Sequence, residues 1–210
     1  MIHRLSLSIA SWLDKQAPGH SVAVMAYGIE MVLIAVIQLS LILFIAFCFG
    51  LFSLAFITLL AFTVLRIVAG GKHLSAFWSC TLTDILLING LAWLALKSME
   101  TPWFIHVPVL GILTIITWMA VHRYAPLITV RRPASRLQTH GRTYSKGVVL
   151  VAAAVAAISY LWNPVYSAAI ILGMAAQGLS ITPMGCKAID QLDCWLSSYL
   201  SFYNGRREVE

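Results

Sequence analysis

A histidine and a cysteine seven residues apart, His73 and Cys80, stand in the polar interruption of an otherwise apolar chain. The stretch from Arg66 to Asp84 reads RIVAGGKHLSAFWSCTLTD. An imidazole beside a thiol is a pairing used in nucleophilic catalysis, the ring taking the thiol proton and returning one to the leaving group. On one continuous helix a seven-residue step puts both side chains on nearly the same face, but a rise of roughly 1.5 Å per residue holds them about 10 Å apart. Proton transfer needs about 3 Å. The pair can therefore work only if the backbone turns between them. Gly70-Gly71 supplies a hinge before His73, and Ser75 is the expected N-cap of a helix carrying Cys80 in its second turn. Asp84, one turn beyond Cys80, is a candidate third member that would orient the ring, although pairing with Arg66 or Lys72 competes for it.

The frame that must position these groups is a membrane frame. Hydrophobic residues make up 60% of the 210 and charged residues 10%, with a mean hydropathy of +0.86, far outside the soluble globular range. The start, MIHRLSLSIASWLDKQAPGH, lacks the apolar core and cleavage site of a secretory signal, so insertion of the whole chain is expected. The expected fold is an all-α polytopic bundle, a single domain of about six spans with interfacial helices at both ends. Leu5, Ile9, Trp12 and Leu13 recur at near-helical spacing within residues 1–20, which fits a helix lying in the interface. Residues 29–65 are too long an apolar run for one crossing at about 20 residues per span. Gly50 divides them into spans near 29–49 and 51–65. Further spans are expected near 80–96, 104–121, 147–162 and 165–181, the last two separated by Asn163-Pro164. This bundle, 29–182, carries a catalytic loop at 66–80 and a basic loop at 122–147, and an amphipathic tail follows over 186–210.

The net charge of +6 could suggest nucleic acid, but in a membrane chain an excess of Lys and Arg first reports topology. With a cytoplasmic N-terminus, thirteen of the fourteen positive residues fall on inside segments and Lys97 alone falls outside. That orientation puts both termini, His73 and Cys80 on the cytoplasmic side, and no nucleic-acid partner is expected. Cys48, Cys80, Cys186 and Cys194 lack CxxC spacing, so neither a disulfide framework nor a zinc ribbon is expected. Cys48, Cys186 and Cys194 read as packing residues, and the remaining histidines, His3, His20, His106, His122 and His140, as solvated rings. The reading calls for no metal and no cofactor.

The run R-x-x-x-G-G-x-H-x6-C, as Arg66, Gly70, Gly71, His73 and Cys80, is followed by Tyr124-Ala125-Pro126 and then Arg131-Arg132-Pro133. In motif order, size and hydropathy the chain resembles the accessory gene regulator B family. The resemblance implies a bacterial quorum-sensing endopeptidase of the cell membrane, which cuts the C-terminal part from a small amphipathic propeptide and assists closure of a thiolactone or lactone ring. It also implies a homodimer. Carried over, Cys80 is the nucleophile and His73 the general base, Arg66, Gly70 and Gly71 support them, and Arg131 and Arg132 meet the substrate. Arginines stand there where members often have lysines, which keeps the charge and alters the hydrogen-bond geometry. Two other classes compete. A transporter or peptide-export component would use His73 and Cys80 structurally. A lipid or prenyl transferase would need metal-binding carboxylates, for which Asp190 and Asp193 are the close pair on the inner face before the terminal Glu208 and Glu210.

Overall fold

The computed structural model describes residues 2–16, 21–72, 74, 77–127 and 136–205, and among them it is all helical apart from loops and one isolated bridge. Among the described residues eight α-helices follow in order: α1 (Ile2–Gln16), α2 (Val22–Cys48), α3 (Phe52–Ala69), α4 (Phe77–Lys97), α5 (Trp103–Tyr124), α6 (Arg136–Trp162), α7 (Pro164–Ser180) and α8 (Pro183–Gly205), with a short 3-10 turn at Ser98–Glu100. Helices α2 to α5 and the part of α6 from Gly141 are long and apolar enough to cross a bilayer. A sixth crossing is reached if α7 and the first part of α8, which meet at 82°, count as one broken span. The protein is therefore a multi-pass membrane protein, and its exposed Leu, Val, Ile and Phe side chains are the surface such a bundle offers to lipid.

Helix α7 is the axis of the bundle. Its N-terminus is set by Asn163, whose side chain accepts from the Val165 N–H at 3.1 Å, and by Pro164, which cannot donate to a preceding turn. Ten of its seventeen residues are buried, among them Ser167, Ala168, Ala169, Gly173, Ala175 and Gly178, and it packs against α3, α4, α5 and α6. Small side chains let neighbouring backbones come close, which in lipid is the main source of helix association. At Gly173 the approach is limiting, because a Cβ there would lie 2.5 Å from the Thr58 carbonyl oxygen of α3.

Several boundaries differ from those read in the sequence. Helix α2 begins at Val22, seven residues before the expected span. Helix α3 runs on to Ala69, so Arg66 belongs to its last turn and not to the loop. Helix α6 begins at Arg136, inside the expected basic loop, and its early residues include Arg142 and Lys146. A helix can leave hydrocarbon without ending, so polar composition marks where the chain becomes wet and not where its hydrogen-bond ladder stops. Helix α1 lies along α2 and buries Ser6 and Ala10 while Leu5 and Trp12 stay exposed. His3, expected to be solvated, pairs with Glu30 of α2 at 3.0 Å.

Candidate functional site

The chain leaves α3 through Gly70, at φ +78 and ψ −165, a conformation essentially confined to glycine. Its N–H donates to the Arg66 carbonyl at 3.0 Å, and the Ala69 carbonyl accepts from the Leu127 N–H at 2.9 Å. Gly70 and Leu127 thus form a parallel bridge, so tight that a Cβ on Gly70 would lie 2.6 Å from the Leu127 oxygen. The glycine pair and the Tyr124-Ala125-Pro126 segment, which ends one residue before Leu127, are therefore in contact. A cis peptide joins Ala125 to Pro126. From α6, Arg142 Nε donates to the Ala125 carbonyl at 3.2 Å, and Gly141 lies against the Pro126 ring.

Arg66 organises the next residues. Its Nη2 donates to the Lys72 carbonyl at 2.8 Å, its Nη1 donates to Gln177 Oε1 at 3.2 Å, and its guanidinium lies over the Phe62 ring at 5.5 Å. Gln177, fully buried in α7, donates from Nε2 to the Gly70 carbonyl at 2.7 Å. Gly71 fits beneath the Arg66 guanidinium, which a Cβ would approach to 3.1 Å. Lys72 turns outward to an ion pair with Asp190 of α8. The hydrogen bond and charge of Asp190 raise the Lys72 ammonium above its usual pKa.

Helix α4 starts at Phe77, so Cys80 lies in its first turn, earlier than expected. The sulfur is half-buried, lies 3.7 Å from Asp84 Oδ2, and is met by the main chain of Leu74. The same carboxylate oxygen accepts from Gln38 Nε2 of α2. Asp84 thus sits against the thiol, and Lys72, one of its expected partners, is engaged elsewhere by Asp190. The positive charge of Arg66 acts on both Cys80 and Asp84. His73, Ser75, Arg131 and Arg132 lie outside the described residues. Gly71, Lys72 and Leu74, which flank His73, are not helical, so α3 and α4 are two rods joined by a bent connection. Gln38 and Gln177 were not singled out by sequence reasoning. The available signal was a lone amide within an apolar run, which is costly in hydrocarbon unless it has a partner.

No group of three or more metal-ligating side chains occurs among the described residues. Asp190, one carboxylate of the pair a transferase would need, holds Lys72.

A polytopic helical membrane protein with a thiol at the start of one span, facing a hinge held by an arginine and a buried glutamine, is the class that fold and site define. The chain belongs to the accessory gene regulator B family, whose model matches residues 6–181. A curated protein of Halalkalibacterium halodurans, named as AgrB-like, is 25% identical over 195 residues, covering 92% of this chain and 93% of that relative. No solved structure matches the chain. Membership of this family supports a role in the accessory gene regulator quorum-sensing system.

Proposed function

We propose that the protein is a membrane-embedded cysteine endopeptidase that processes an amphipathic signal propeptide. The observation that supports this most is the local geometry of Cys80: a half-buried thiol in the first turn of a span, with the main chain of Leu74, the residue after His73, folded back onto the sulfur. In this reading His73 takes the Cys80 proton and the sulfur attacks the scissile carbonyl. The C–N bond breaks, the imidazolium protonates the leaving amine, and the acyl group stays on Cys80 as a thioester. A thiol or hydroxyl upstream in the propeptide then attacks that thioester, the ring closes, and Cys80 leaves and recovers its proton. Thioester exchange with a thiol costs little free energy, so the step depends on keeping water away, which a site at the lipid boundary favours. N–H groups in the first turn of α4 are the natural oxyanion donors. Asp84 orients His73 as a third member, with Gln38 holding its carboxylate.

The charge distribution supports a cytoplasmic site with both termini on the same side. Arg131 and Arg132 would meet an acidic C-terminal part of the propeptide, its amphipathic part would lie on the membrane, and two copies of the chain would assemble. The test is co-expression with the short propeptide of an adjacent reading frame. Cys80→Ala and His73→Ala, at normal membrane levels, are each expected to abolish cleavage. Full processing by either variant would overturn the reading and leave a transporter or export role.

A further inference from the structure

Gln177 lies on α7, the helix that carries none of the reacting groups, yet its amide has both ends in the hinge. Its Oε1 accepts from Arg66 Nη1 at 3.2 Å and from Ser180 Oγ at 3.2 Å, and its Nε2 donates to the Gly70 carbonyl at 2.7 Å. It is fully buried on the most enclosed helix of the bundle. A buried amide on an otherwise apolar helix weakens packing unless it is bonded, and here its bonds to other helices, with Arg66 and Gly70, converge on the last turn of α3 and the residue after it. Arg66 closes the loop by donating to the Lys72 carbonyl at 2.8 Å. Gly70 and Lys72, the main-chain positions three and one before His73, are thus both tied to α7, one directly and one through the guanidinium. The approach is tight as well, since a Cβ on Gly71 would meet Arg66 Nη1 at 3.1 Å and Gln177 Nε2 at 3.4 Å.

We propose that Gln177 is a positioning residue for the Cys80 site: a two-ended clamp on α7 that fixes the hinge at Gly70 and aims Arg66 at the Lys72 carbonyl, so that the main chain of Leu74 is held at the Cys80 sulfur. It touches no reacting atom. It acts through Arg66 and the backbone, and it gives the rigid axis of the bundle a hold on a connection that would otherwise be free to move. The proposal deepens the endopeptidase reading by naming what presents His73, and its test is separable from that reading.

The test uses the full chain in detergent or lipid, with iodoacetamide as the probe and mass spectrometry reading each cysteine. Gln177→Met, close in size and without hydrogen-bonding groups, is expected to slow alkylation of Cys80 at least about tenfold, the size expected from losing a hydrogen bond to a charged group. Cys48 and Cys194 serve as internal controls whose rates stay unchanged, a selectivity that general loosening of the fold would not produce; Cys186 is read separately, because its sulfur lies 3.7 Å from the carbonyl of Ser180, a direct partner of Gln177. The pH–rate curve of Cys80 alone should also move, Arg66 from α3 and Asp84 from α4 being the charged groups around it. If the methionine variant fails to accumulate, Gln177→Asn gives the same reading, because its shorter amide cannot span Arg66 and Gly70 together. A Cys80 rate within twofold of wild type in whichever variant accumulates, or a change shared by Cys48 and Cys194, overturns the clamp. His73→Ala in the same assay separates the two ideas. A slow Cys80 in His73→Ala with an unchanged one in Gln177→Met removes the clamp alone. The reverse pattern keeps the clamp and removes the imidazole's role.

Discussion

The two ends of α4 each bring polar groups together, and they do so differently. At its start, Cys80 and Asp84 meet Gln38, Arg66 and a bent connection whose glycine has positive φ. About 27 Å beyond Cys80 along the helix axis, by the rise per residue, the connection to α5 buries His106. Its Nε2 lies 3.1 Å from Ser98 Oγ and its ring stacks on Tyr160 at 5.8 Å. Lys97 and Glu100 pair beside it at 2.5 Å. That second cluster has an imidazole and a hydroxyl but no thiol and no left-handed glycine hinge. A buried histidine with a hydrogen-bonding partner is therefore not enough to mark a reactive site. What distinguishes the first cluster is a thiol beside a hinge whose glycine takes a conformation essentially confined to glycine, held by contacts from Arg66, Gln177 and Leu127.

Substitutions can break or sharpen that contrast. With Cys80 as the proposed nucleophile, the largest effect short of its own loss is expected at the hinge. In Gly70→Ala the backbone conformation costs about 1–3 kcal/mol, and the added methyl meets the Leu127 oxygen at 2.6 Å. Propeptide cleavage should fall about a hundredfold, as expected for a misplacement near 1 Å, and a variant that keeps wild-type cleavage would show that the hinge is not needed. Next comes Asp84→Asn, which keeps a partner for Gln38 and removes the carboxylate from Cys80. Cleavage should drop at least about tenfold if Asp84 orients the base, measured as turnover at equal protein levels. At the other end, His106→Leu should leave cleavage within about twofold and lower the thermal midpoint, since it removes a hydrogen bond and a ring contact together worth about 1–2 kcal/mol. A severe loss of activity there would erase the distinction between the two ends.

The smallest effect on stability is expected at the solvent-screened ion pair of Lys72 with Asp190, because surface pairs contribute little. Lys72→Met should change cleavage less than about threefold. The sign of the pH dependence follows from the raised Lys72 pKa. The folded chain binds that proton more tightly than the unfolded chain, so the pair's contribution is fully present below the ordinary value of 10.5 and is lost as pH rises through the raised one. An alkaline loss of thermal stability that persists unchanged in Lys72→Met would assign it to other groups.

Five of the spans were legible because each contains close to the number of apolar residues that a bilayer requires, and Gly50 and Asn163-Pro164 broke the chain where the helices do break; the expected span at 165–181 crosses only if α7 is joined to α8 across their bend. Helix α6 was harder to read, since Arg136, Arg142 and Lys146 look like loop chemistry although the helix runs through all three and its apolar crossing stretch is counted from Gly141. The bend between α3 and α4 could be reasoned from Gly70-Gly71 together with the distance a straight helix would impose. Its supports could not. Gln38 and Gln177 belong to no local pattern, and their meaning comes from residues 46 and 107 positions away in the chain. Contact between Gly70 and Leu127 is likewise tertiary, and nothing in either segment names the other.

The most direct test of the account is to trap the acyl group on the enzyme. The purified protein is mixed with the propeptide, quenched in acid within seconds and analysed by mass spectrometry. The account predicts a propeptide fragment attached at Cys80, released by hydroxylamine as thioesters are, and missing in Cys80→Ala. Propeptide cut at the wild-type rate by a chain whose Cys80 has been alkylated to completion, with no adduct formed, would contradict it.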